Sequence, residues 1–389
     1  MRWNTIIGQN HLRRMLQRCI LSERVPQALL LTGTEGHGTL ALALAFARTV
    51  NCASPIRNAD AIEPCEHCGP CKQSSSLQHP NIRIVAALPT PAANARTKDD
   101  EESLSDEVIA DIRATMEMVA ADPYSGYRIQ GATTIRIAQI RELKRSLSLS
   151  AVQEGRRVVI ILNAEELNVP AANAFLKTLE EPHADTTIIL TSSRPERLLP
   201  TIVSRCMELI VPPLDDEDVC DALVARGLCS ADEAQLIAPF AMGDLQRAVA
   251  FTSENVRQLR DSVIDVLRTA LKPSGYRNTL VIAIEQLVDS RDRLRADAVI
   301  AILATWMRDA RAAFDCSGGV SLLNADREEA VQRFSQAFGS ADLHAVLQVL
   351  ERGSRDIARN VSVHLVLVTM LMSIRTTIAT TRARTTTAK

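Results

Sequence analysis

Aromatic side chains are scarce in this chain, at 3% of its 389 residues, while apolar residues as a whole reach 46%. Few aromatic residues argue against an all-β protein, because strands are enriched in them. Ala, Leu and Arg abound instead, which favours helices. The length predicts two or three domains, since a compact domain seldom exceeds about 250 residues.

The chain also lacks a charge excess and a long apolar run. Its 44 basic and 46 acidic residues give a formal net charge of −2, so any contact with DNA would use a local patch or be shared with partners. The longest apolar stretch, 361–374, has 14 residues, whereas a membrane span needs about 20. The first residues have no signal-peptide pattern, so the protein is predicted to be cytoplasmic, where thiols stay reduced.

Nine cysteines in a reducing compartment need a role other than disulfides. Four of them follow the spacing C-x12-C-x2-C-x2-C: Cys52, Cys65, Cys68 and Cys71. Four thiolates complete the tetrahedral shell of a structural Zn²⁺ and leave no position for a catalytic water. The alternatives are an iron–sulfur cluster and ligation by His67 in place of one cysteine. The spacing therefore predicts a structural metal that clips a loop, with zinc favoured.

A glycine loop lies between a predicted strand and a predicted helix. It has the glycine spacing of a Walker A loop, G-x-x-x-x-G-K-[ST], whose lysine contacts phosphates and whose hydroxyl binds Mg²⁺. Gly33 and Gly38 stand at the glycine positions, but Thr39 replaces the lysine and Leu40 replaces the hydroxyl residue. Glu35 adds a negative charge where a polyphosphate would lie. This degenerate loop is predicted not to bind Mg-ATP.

The acidic Walker B element is degenerate as well. After the predicted strand 157–162, the chain has Asn163 and Ala164 where an ATPase has an aspartate for Mg²⁺ and often a glutamate that acts on the attacking water. Glu165 and Glu166 follow directly and are predicted to be solvated charges at a helix start. Two motifs have lost their chemistry, so we expect no ATPase activity in this chain.

Short apolar strands alternate with helices up to about residue 212, which predicts a parallel α/β sheet. The predicted elements are, in chain order, strand 28–32, helix 39–50, helix 136–148, strand 157–162, helix 170–181 and strand 186–191. Residues 92–122 interrupt this pattern and are predicted to form an exposed insertion with a helix at 106–119.

Only helical patterns follow Pro213. Three short helices are predicted for 215–251, and further helices up to about residue 380, with turns near Gly339 and Gly353 among others. The predicted fold class is α/β plus all-α: one α/β domain, a small helical domain and a larger helical domain.

Several segments resemble, in the same order, the subunits of bacterial DNA polymerase clamp loaders, which are AAA+ proteins. These segments are Trp3–Gln9, Val25–Ala28, the four cysteines, Asn173–Pro182 and Pro200–Cys206. The resemblance covers residues 1–250, and the C-terminal part only by length and pattern. In that family the gamma and tau subunits keep the Walker lysine, whereas delta-prime often lacks it. The chain therefore resembles the delta-prime branch of DNA polymerase III.

The resemblance implies an AAA+ domain at 1–212 with a zinc module at about 52–71, a helical lid at 213–255 and a helical collar at 256–380. The collar would close a pentameric ring, and residues 381–389 would be a disordered tail. The implied function is that of a non-hydrolysing stator that helps to load the β sliding clamp. The implied partners are the gamma/tau ATPase subunits, the delta subunit and, through the complex, the clamp and primed DNA.

The resemblance also implies a role for Arg205 of the Ser-Arg-Cys element. In the family this arginine reaches the γ-phosphate held by a neighbouring ATPase subunit, and a permanently charged guanidinium suits that task. For a single arginine the alternative is a surface salt bridge. The family's sensor arginine position holds Gln246, with Arg247 one residue later, which fits an inactive site.

Two other functions stay open. One is a gamma/tau-like active ATPase with divergent motifs, which would need a cation that residues 33–40 do not supply as lysine or arginine. The other is an AAA+-derived adaptor that uses its zinc module to bind nucleic acid, with a steep salt dependence. The near-neutral charge counts against this second function.

Overall fold

The structure is a computed structural model that describes residues 2–89, 105–127, 129, 131–148, 153–182, 185–252, 255–290, 292–315, 322–358 and 361–387. The chain forms two compact units. The first comprises Met1–Asp218 and Asp244–Gln246, and the second comprises Val219–Gly243 and Arg247–Lys389. The division into three domains with boundaries at 212 and 255 stays a prediction.

A parallel sheet forms the centre of the first unit. The strands of this unit are β1 (Ala28–Thr32), β2 (Ile56–Arg57), β3 (Ile62–Glu63), β4 (Ile82–Val85), β5 (Leu88–Pro89), β6 (Ala132–Thr134), β7 (Arg157–Ile161), β8 (Thr186–Ser192) and β9 (Met207–Ile210). Five of them form the sheet in the order β4-β7-β8-β1-β9, with every neighbouring pair parallel. The ribbons β2-β3 and β5-β6 are antiparallel. The parallel sheet predicted from the alternating pattern is confirmed.

Helices cover this sheet. Those of the first unit are α1 (Asn10–Leu21), α2 (Thr39–Val50), α3 (Gly69–Ser75), α4 (Asp106–Ala121), α5 (Ile137–Ser148), α6 (Val169–Glu180) and α7 (Pro200–Val203). Every residue of α2 from Thr39 to Thr49 is buried, because its small and apolar side chains let protein pack on all sides. Ile140 and Leu143 of α5 and Phe175 of α6 belong to the core around β1, β7 and β8.

The helix predicted at 106–119 is confirmed as α4, and residues 92–104 of the predicted insertion lie outside the described residues. From residue 216 onward every described element is helical. These helices are α8 (Asp216–Ala225), α9 (Ala231–Ala241), α10 (Leu245–Thr252), α11 (Val256–Ala270), α12 (Tyr276–Leu287), α13 (Arg293–Asp315), α14 (Glu328–Phe338), α15 (Leu343–Ala358) and α16 (Val363–Thr387). Among the described helices, none has the length and apolar character that a membrane crossing requires.

One prediction about the C-terminal helices is wrong. Gly353 was expected in a turn, but it lies inside α15, where a Cβ atom would come within 2.8 Å of Met370 Sδ on α16. The glycine thus permits a close helix contact. The predicted disordered tail begins at residue 381 and α16 is described as far as Thr387, so the boundary of the tail stays a prediction.

Parallel pairing brings the C-terminal ends of the strands to one edge of the sheet. Thr32 of β1 pairs with Ser192 of β8, and Ile161 of β7 pairs with Leu190 of the same strand. The glycine loop after β1 and the segments after β7 and β8 therefore begin at this edge. Open α/β sheets bind ligands at this position.

Candidate functional sites at the two ends of α2

The glycine loop has the backbone that its sequence predicts. A 3-10 turn at Glu35–His37 leads to Gly38, whose φ of +96° lies in the region that favours glycine. The helix α2 begins directly afterwards. The two residues that replace the catalytic ones are deeply buried, with Thr39 1% and Leu40 3% exposed. The loop therefore keeps a phosphate-loop shape without the lysine and hydroxyl that bind Mg-ATP.

Glu35 of the glycine loop accepts hydrogen bonds from residues at two other degenerate motif positions. Asn163 Nδ2, in the place of the Walker B aspartate, donates a hydrogen bond of 2.7 Å to Glu35 Oε1. Gln246 Nε2, in the sensor position, donates one of 3.3 Å to Glu35 Oε2. The sequence singles out each of these residues separately, and the structure brings them together. A carboxylate of the chain itself thus lies between the motif positions that surround the terminal phosphate in an ATPase.

Two residues after α4 pack closely on this loop. A Cβ atom at Gly38 would lie 2.9 Å from Tyr124 Oη, which accepts a hydrogen bond of 2.9 Å from the backbone N of Ile7. Gly126 has a φ of +76°, and a Cβ atom there would collide with Glu35 Oε2 and Gln246 Nε2. Local sequence patterns did not assign Tyr124 or Gly126 to the site. Their contacts leave little free volume around the Glu35 carboxylate.

The segment just before α10 fastens to the same loop. Thr34 Oγ1 donates a hydrogen bond of 3.1 Å to Asp244 Oδ2. A Cβ atom at Gly36 would collide with Asp244 Oδ1. Residues Asp244–Gln246 accordingly cluster with the first unit. The loop is thus held by side chains of the protein at both Thr34 and Glu35.

The prediction that Glu165 and Glu166 are solvated is wrong. Glu165 is buried, and its Oε1 accepts hydrogen bonds from the backbone N and Oγ of Ser193, at 3.1 and 2.8 Å. Glu166 is half-buried, and burial raises its pKa to about 7, with the charges of Glu165 and Glu35 adding to the effect. The carboxylates of Glu35 and Glu165 near the degenerate loop, and that of Glu166 where it is deprotonated, disfavour a polyphosphate there.

The four predicted cysteine ligands come together beyond the other end of α2. Their sulfur atoms all lie within 4.8 Å of one another: Cys52, Cys65, Cys68 and Cys71. The Sγ atoms of Cys52 and Cys68 are 3.9 Å apart. A tetrahedral zinc with bonds of about 2.3 Å would place its sulfur ligands about 3.8 Å apart. The cluster can therefore hold a metal ion, and its all-sulfur donors suit zinc or iron.

Local hydrogen bonds prepare the cysteine cluster for a metal. Hydrogen bonding, foremost from Ser54, lowers the pKa of Cys65, whereas burial raises the pKa of Cys52 and of Cys71. A lowered pKa favours the thiolate, which is the form that binds metals. His67 is exposed, and its Nδ1 lies 2.7 Å from the carbonyl O of Cys65, outside the four-sulfur group.

The N-terminal segment is tied to the cysteine loop. The backbone N of Trp3 donates to Glu63 Oε2 at 3.1 Å, and Trp3 Nε1 donates to Thr49 Oγ1 at 2.9 Å. Arg2 Nε lies 2.6 Å from Glu66 Oε2. The cysteine loop is thus packed against the end of α2 and the first residues of the chain.

Arg205 lies on the surface just after α7. Its Nη2 is 2.6 Å from Glu180 Oε1 at the end of α6, and its Nη1 donates to the carbonyl O of Thr201 at 2.9 Å. The Arg205 side chain is 34% exposed. The surface salt bridge considered from the sequence is therefore present in the single chain, and both motif elements, Leu-Glu-Glu-Pro and Ser-Arg-Cys, contribute to it.

Comparison with known proteins gives one family. A family model described as DNA polymerase III, delta subunit, matches residues 8–215. The chain is 26% identical over 268 residues to DNA polymerase III subunit delta' of Bacillus subtilis (strain 168), which covers 69% of this chain and 67% of that protein. It is 27% identical over 322 residues to the subunit delta' of Escherichia coli (strain K12), covering 82% and 79%.

A shorter match has the higher identity. The subunit delta' of Pseudomonas aeruginosa is 34% identical over 162 residues, which is 40% of this chain and about half, 49%, of that protein. Among solved structures, a gamma subunit-related protein from Thermotoga maritima matches 95% of this chain and 98% of its own, with 18% identity and a TM-score of 0.37.

Proposed function

Because the chain belongs to the DNA polymerase III delta subunit family, we propose that it is a delta-prime-like clamp loader subunit that hydrolyses no ATP itself. Relatives named tau and gamma also match, which supports membership in one assembly with such ATPase subunits. In this role its partners are the gamma/tau and delta subunits and, through the complex, the β sliding clamp and primed DNA. The domain at 1–212, the lid at 213–255 and the ring-forming collar at 256–380 are part of the same proposal.

The observation that carries this proposal is the position of Glu35. Its carboxylate accepts hydrogen bonds from Asn163 and Gln246, so the chain's own acid occupies the region between the motif positions of an ATPase. An ATP molecule there would have to displace these bonds and approach Glu35, Glu165 and Glu166 without a lysine to balance its charge. Repulsion between like charges makes that binding unfavourable.

The test is an equilibrium titration of the purified full chain with a fluorescent ATP analogue and Mg²⁺, together with a phosphate-release assay. We expect neither saturable binding nor turnover. An active gamma/tau subunit assayed in parallel shows that both methods detect a working site. Magnesium-dependent binding with turnover above background would sink the proposal and favour the divergent ATPase.

Arg205 is proposed to act on the ATP of a neighbouring subunit. Its ion pair with Glu180 joins side chains that are 34% and 47% exposed, so the pair contributes no more than about 1 kcal/mol. A γ-phosphate can therefore replace Glu180 as the partner of the guanidinium at small cost. The permanent charge would then stabilise the transition state of hydrolysis in the neighbour.

Substitution of Arg205 by Ala in a reconstituted clamp loader tests this role. Turnover at the ATP site that Arg205 faces is expected to fall about 10³-fold, the lower range for an arginine finger. The matched control is Arg197→Ala, which removes an exposed arginine eight residues earlier in the chain. Single-turnover phosphate release by the assembled loader is the measurement. Equal rates for Arg205→Ala and the control would leave Arg205 as a surface salt bridge only.

The cysteine cluster is proposed to hold Zn²⁺ through Cys52, Cys65, Cys68 and Cys71. Sulfur separations within 4.8 Å support four-coordinate binding by all four residues. When bound, the ion would supply structural cross-linking of the loop 52–71. Metal analysis of the purified chain distinguishes zinc from iron, and absorption in the visible range is expected only for an iron–sulfur cluster.

A further inference from the structure

Arg48 is a buried cation near the C-terminal end of α2. Its side chain is 5% exposed, and among the described residues its Nε has no hydrogen-bond partner. A guanidinium keeps its proton even when it is buried. Burial of such a charge is strongly unfavourable unless opposite charge lies nearby. The surroundings of Arg48 should therefore contain a counter-charge.

The nearest carboxylate does not fully serve this purpose. Arg48 Nη1 lies 3.7 Å from Glu66 Oε1, a long separation for an ion pair. Glu66 is already bound more closely, with its Oε2 2.6 Å from Arg2 Nε. Glu66 is thus shared between Arg2 and Arg48, and one carboxylate does not match the charges of two guanidinium groups.

The other neighbour is the cysteine cluster. The Arg48 side chain interacts with the side chain of Cys71, and Arg48 lies four residues before Cys52 near the end of α2. The guanidinium is thus next to a sulfur atom that is itself fully buried. Four thiolates around one divalent cation leave two negative charges in excess. With a metal bound, the cluster would therefore supply Arg48 with a second counter-charge beside that of Glu66.

We propose that Arg48 is a positioning residue of the metal centre, whose buried positive charge offsets the excess negative charge of the four metal-bound thiolates. The inference rests on the proposed metal role of the cysteines. Partners that act on metal ligands from outside the coordination shell typically change affinity 10–100-fold when they are removed. A cation is also favoured at the C-terminal end of a helix, but this effect is the same with and without metal.

The test is the Zn²⁺ affinity of the full chain, measured by competition with a chromophoric chelator at fixed pH. Arg48→Met keeps an unbranched apolar stem and removes the charge, and it is expected to weaken Zn²⁺ binding about 10–100-fold. Arg48→Lys keeps the charge and should retain most of the affinity. The matched control is Arg18→Met, which removes an exposed arginine that faces Asp60 of the same cysteine loop.

Unfolding of apo and zinc-loaded protein provides a second readout. If Arg48 acts through the metal, Arg48→Met destabilises the zinc-loaded protein more than the apo protein, by the same factor as the loss of affinity. Equal destabilisation of both forms with unchanged Zn²⁺ affinity would overturn the inference and leave Arg48 as a helix-end charge. Wild-type protein that binds no Zn²⁺ would overturn the metal proposal as well, so the two failures are distinguishable.

Glu66→Gln carries the test if Arg48→Met does not fold. This change removes a negative charge beside the cluster and leaves the thiolates as the main counter-charge of Arg48. Zn²⁺ affinity above that of wild type is therefore expected. Affinity that is unchanged or reduced would contradict the proposed charge balance.

Discussion

The two ends of α2 differ in what the side chains around them can bind. At its N-terminal end, the glycine loop has Thr39 and Leu40 in place of the lysine and hydroxyl residue of a Mg-ATP site, and Glu35 accepts hydrogen bonds from Asn163 and Gln246. Beyond its C-terminal end, four cysteine sulfurs lie within 4.8 Å of one another and keep a complete ligand set. The same buried helix thus connects a site whose polar groups are satisfied within the chain to a site whose four sulfurs are arranged as metal ligands.

The difference shows what must happen when a protein gives up a ligand. At the first end, a carboxylate and two amide donors satisfy one another where an ATPase would hold phosphate and its cation. Among the described residues the cysteine cluster has no such internal substitute, and its four sulfurs are placed as ligands of the proposed metal ion. We therefore expect stability at the first end to be independent of nucleotide and stability at the second end to depend on metal.

Metal removal is the strongest test of this contrast. Substitution of the fully buried Cys71 by Ser, or treatment with a chelator, is expected to lower the free energy of unfolding of the first unit by about 4 kcal/mol or more. Urea unfolding followed by circular dichroism measures the change. The control is Cys220→Ser, which alters a half-buried cysteine outside the cluster. Addition of ATP and Mg²⁺ should leave the urea midpoints of wild type and variant unchanged.

The pH dependence of stability probes the first end alone. Burial and the neighbouring charges raise the pKa of Glu166 to about 7 from an ordinary value of 4.5. Its proton is therefore bound more tightly in the folded state, and the stability that this provides is fully present below pH 4.5 and lost as the pH rises through about 7. Glu166→Gln should remove this loss. The free energy of unfolding of the variant relative to wild type should therefore be about 1–3 kcal/mol higher at pH 8 than at pH 5.

Unfolding curves of wild type and Glu166→Gln between pH 4 and 8 are the measurement for this prediction. Glu196→Gln serves as the control, because Glu196 is exposed and lies in the turn that follows β8. A parallel pH dependence of wild type and Glu166→Gln would show that Glu166 titrates as a solvated carboxyl group.

Glu35 gives the smallest expected effect. Glu35→Ala leaves the amide donors of Asn163 and Gln246 without their acceptor and should lower the free energy of unfolding by about 1 kcal/mol. Glu35→Gln keeps a side-chain acceptor and should cost less. Thermal unfolding and the ATP titration are run on both variants. Strong Mg-ATP binding by Glu35→Ala would mean that Glu35 alone blocks a site that is otherwise competent.

Local patterns predicted much of the first unit. Strand β1 and helix α2 have the predicted bounds, since an apolar run, two glycines and an Ala/Leu-rich stretch are local signals. Strands β4 and β9 were not predicted, because each has four residues and carries a charged side chain within it. The cysteine ligands were predictable for the same local reason, because Cys65, Cys68 and Cys71 are each separated from the next by two residues.

Contacts between distant segments could not be predicted in this way. Glu35 is 128 residues from Asn163 and 211 from Gln246, so no local pattern indicates that these side chains meet. The burial of Glu165 depends on donors of Ser193, which lies 28 residues further on. The burial of Arg48 and its ion pair with Glu66 depend in the same way on the loop 52–71. Local sequence patterns therefore indicated secondary-structure elements but not which distant side chains contact each other.

The chain has two tryptophans, one in each compact unit. Trp3 is 0% exposed beside the cysteine loop, and Trp306 is 2% exposed in α13, in an edge-to-face contact with Phe334. Indole emission shifts to longer wavelength when water reaches the ring, so each unit contains a natural optical probe of its own integrity. Replacing Trp306 by Phe would leave Trp3 as a single-site reporter, able to follow metal uptake at the cysteine loop in real time without any attached dye.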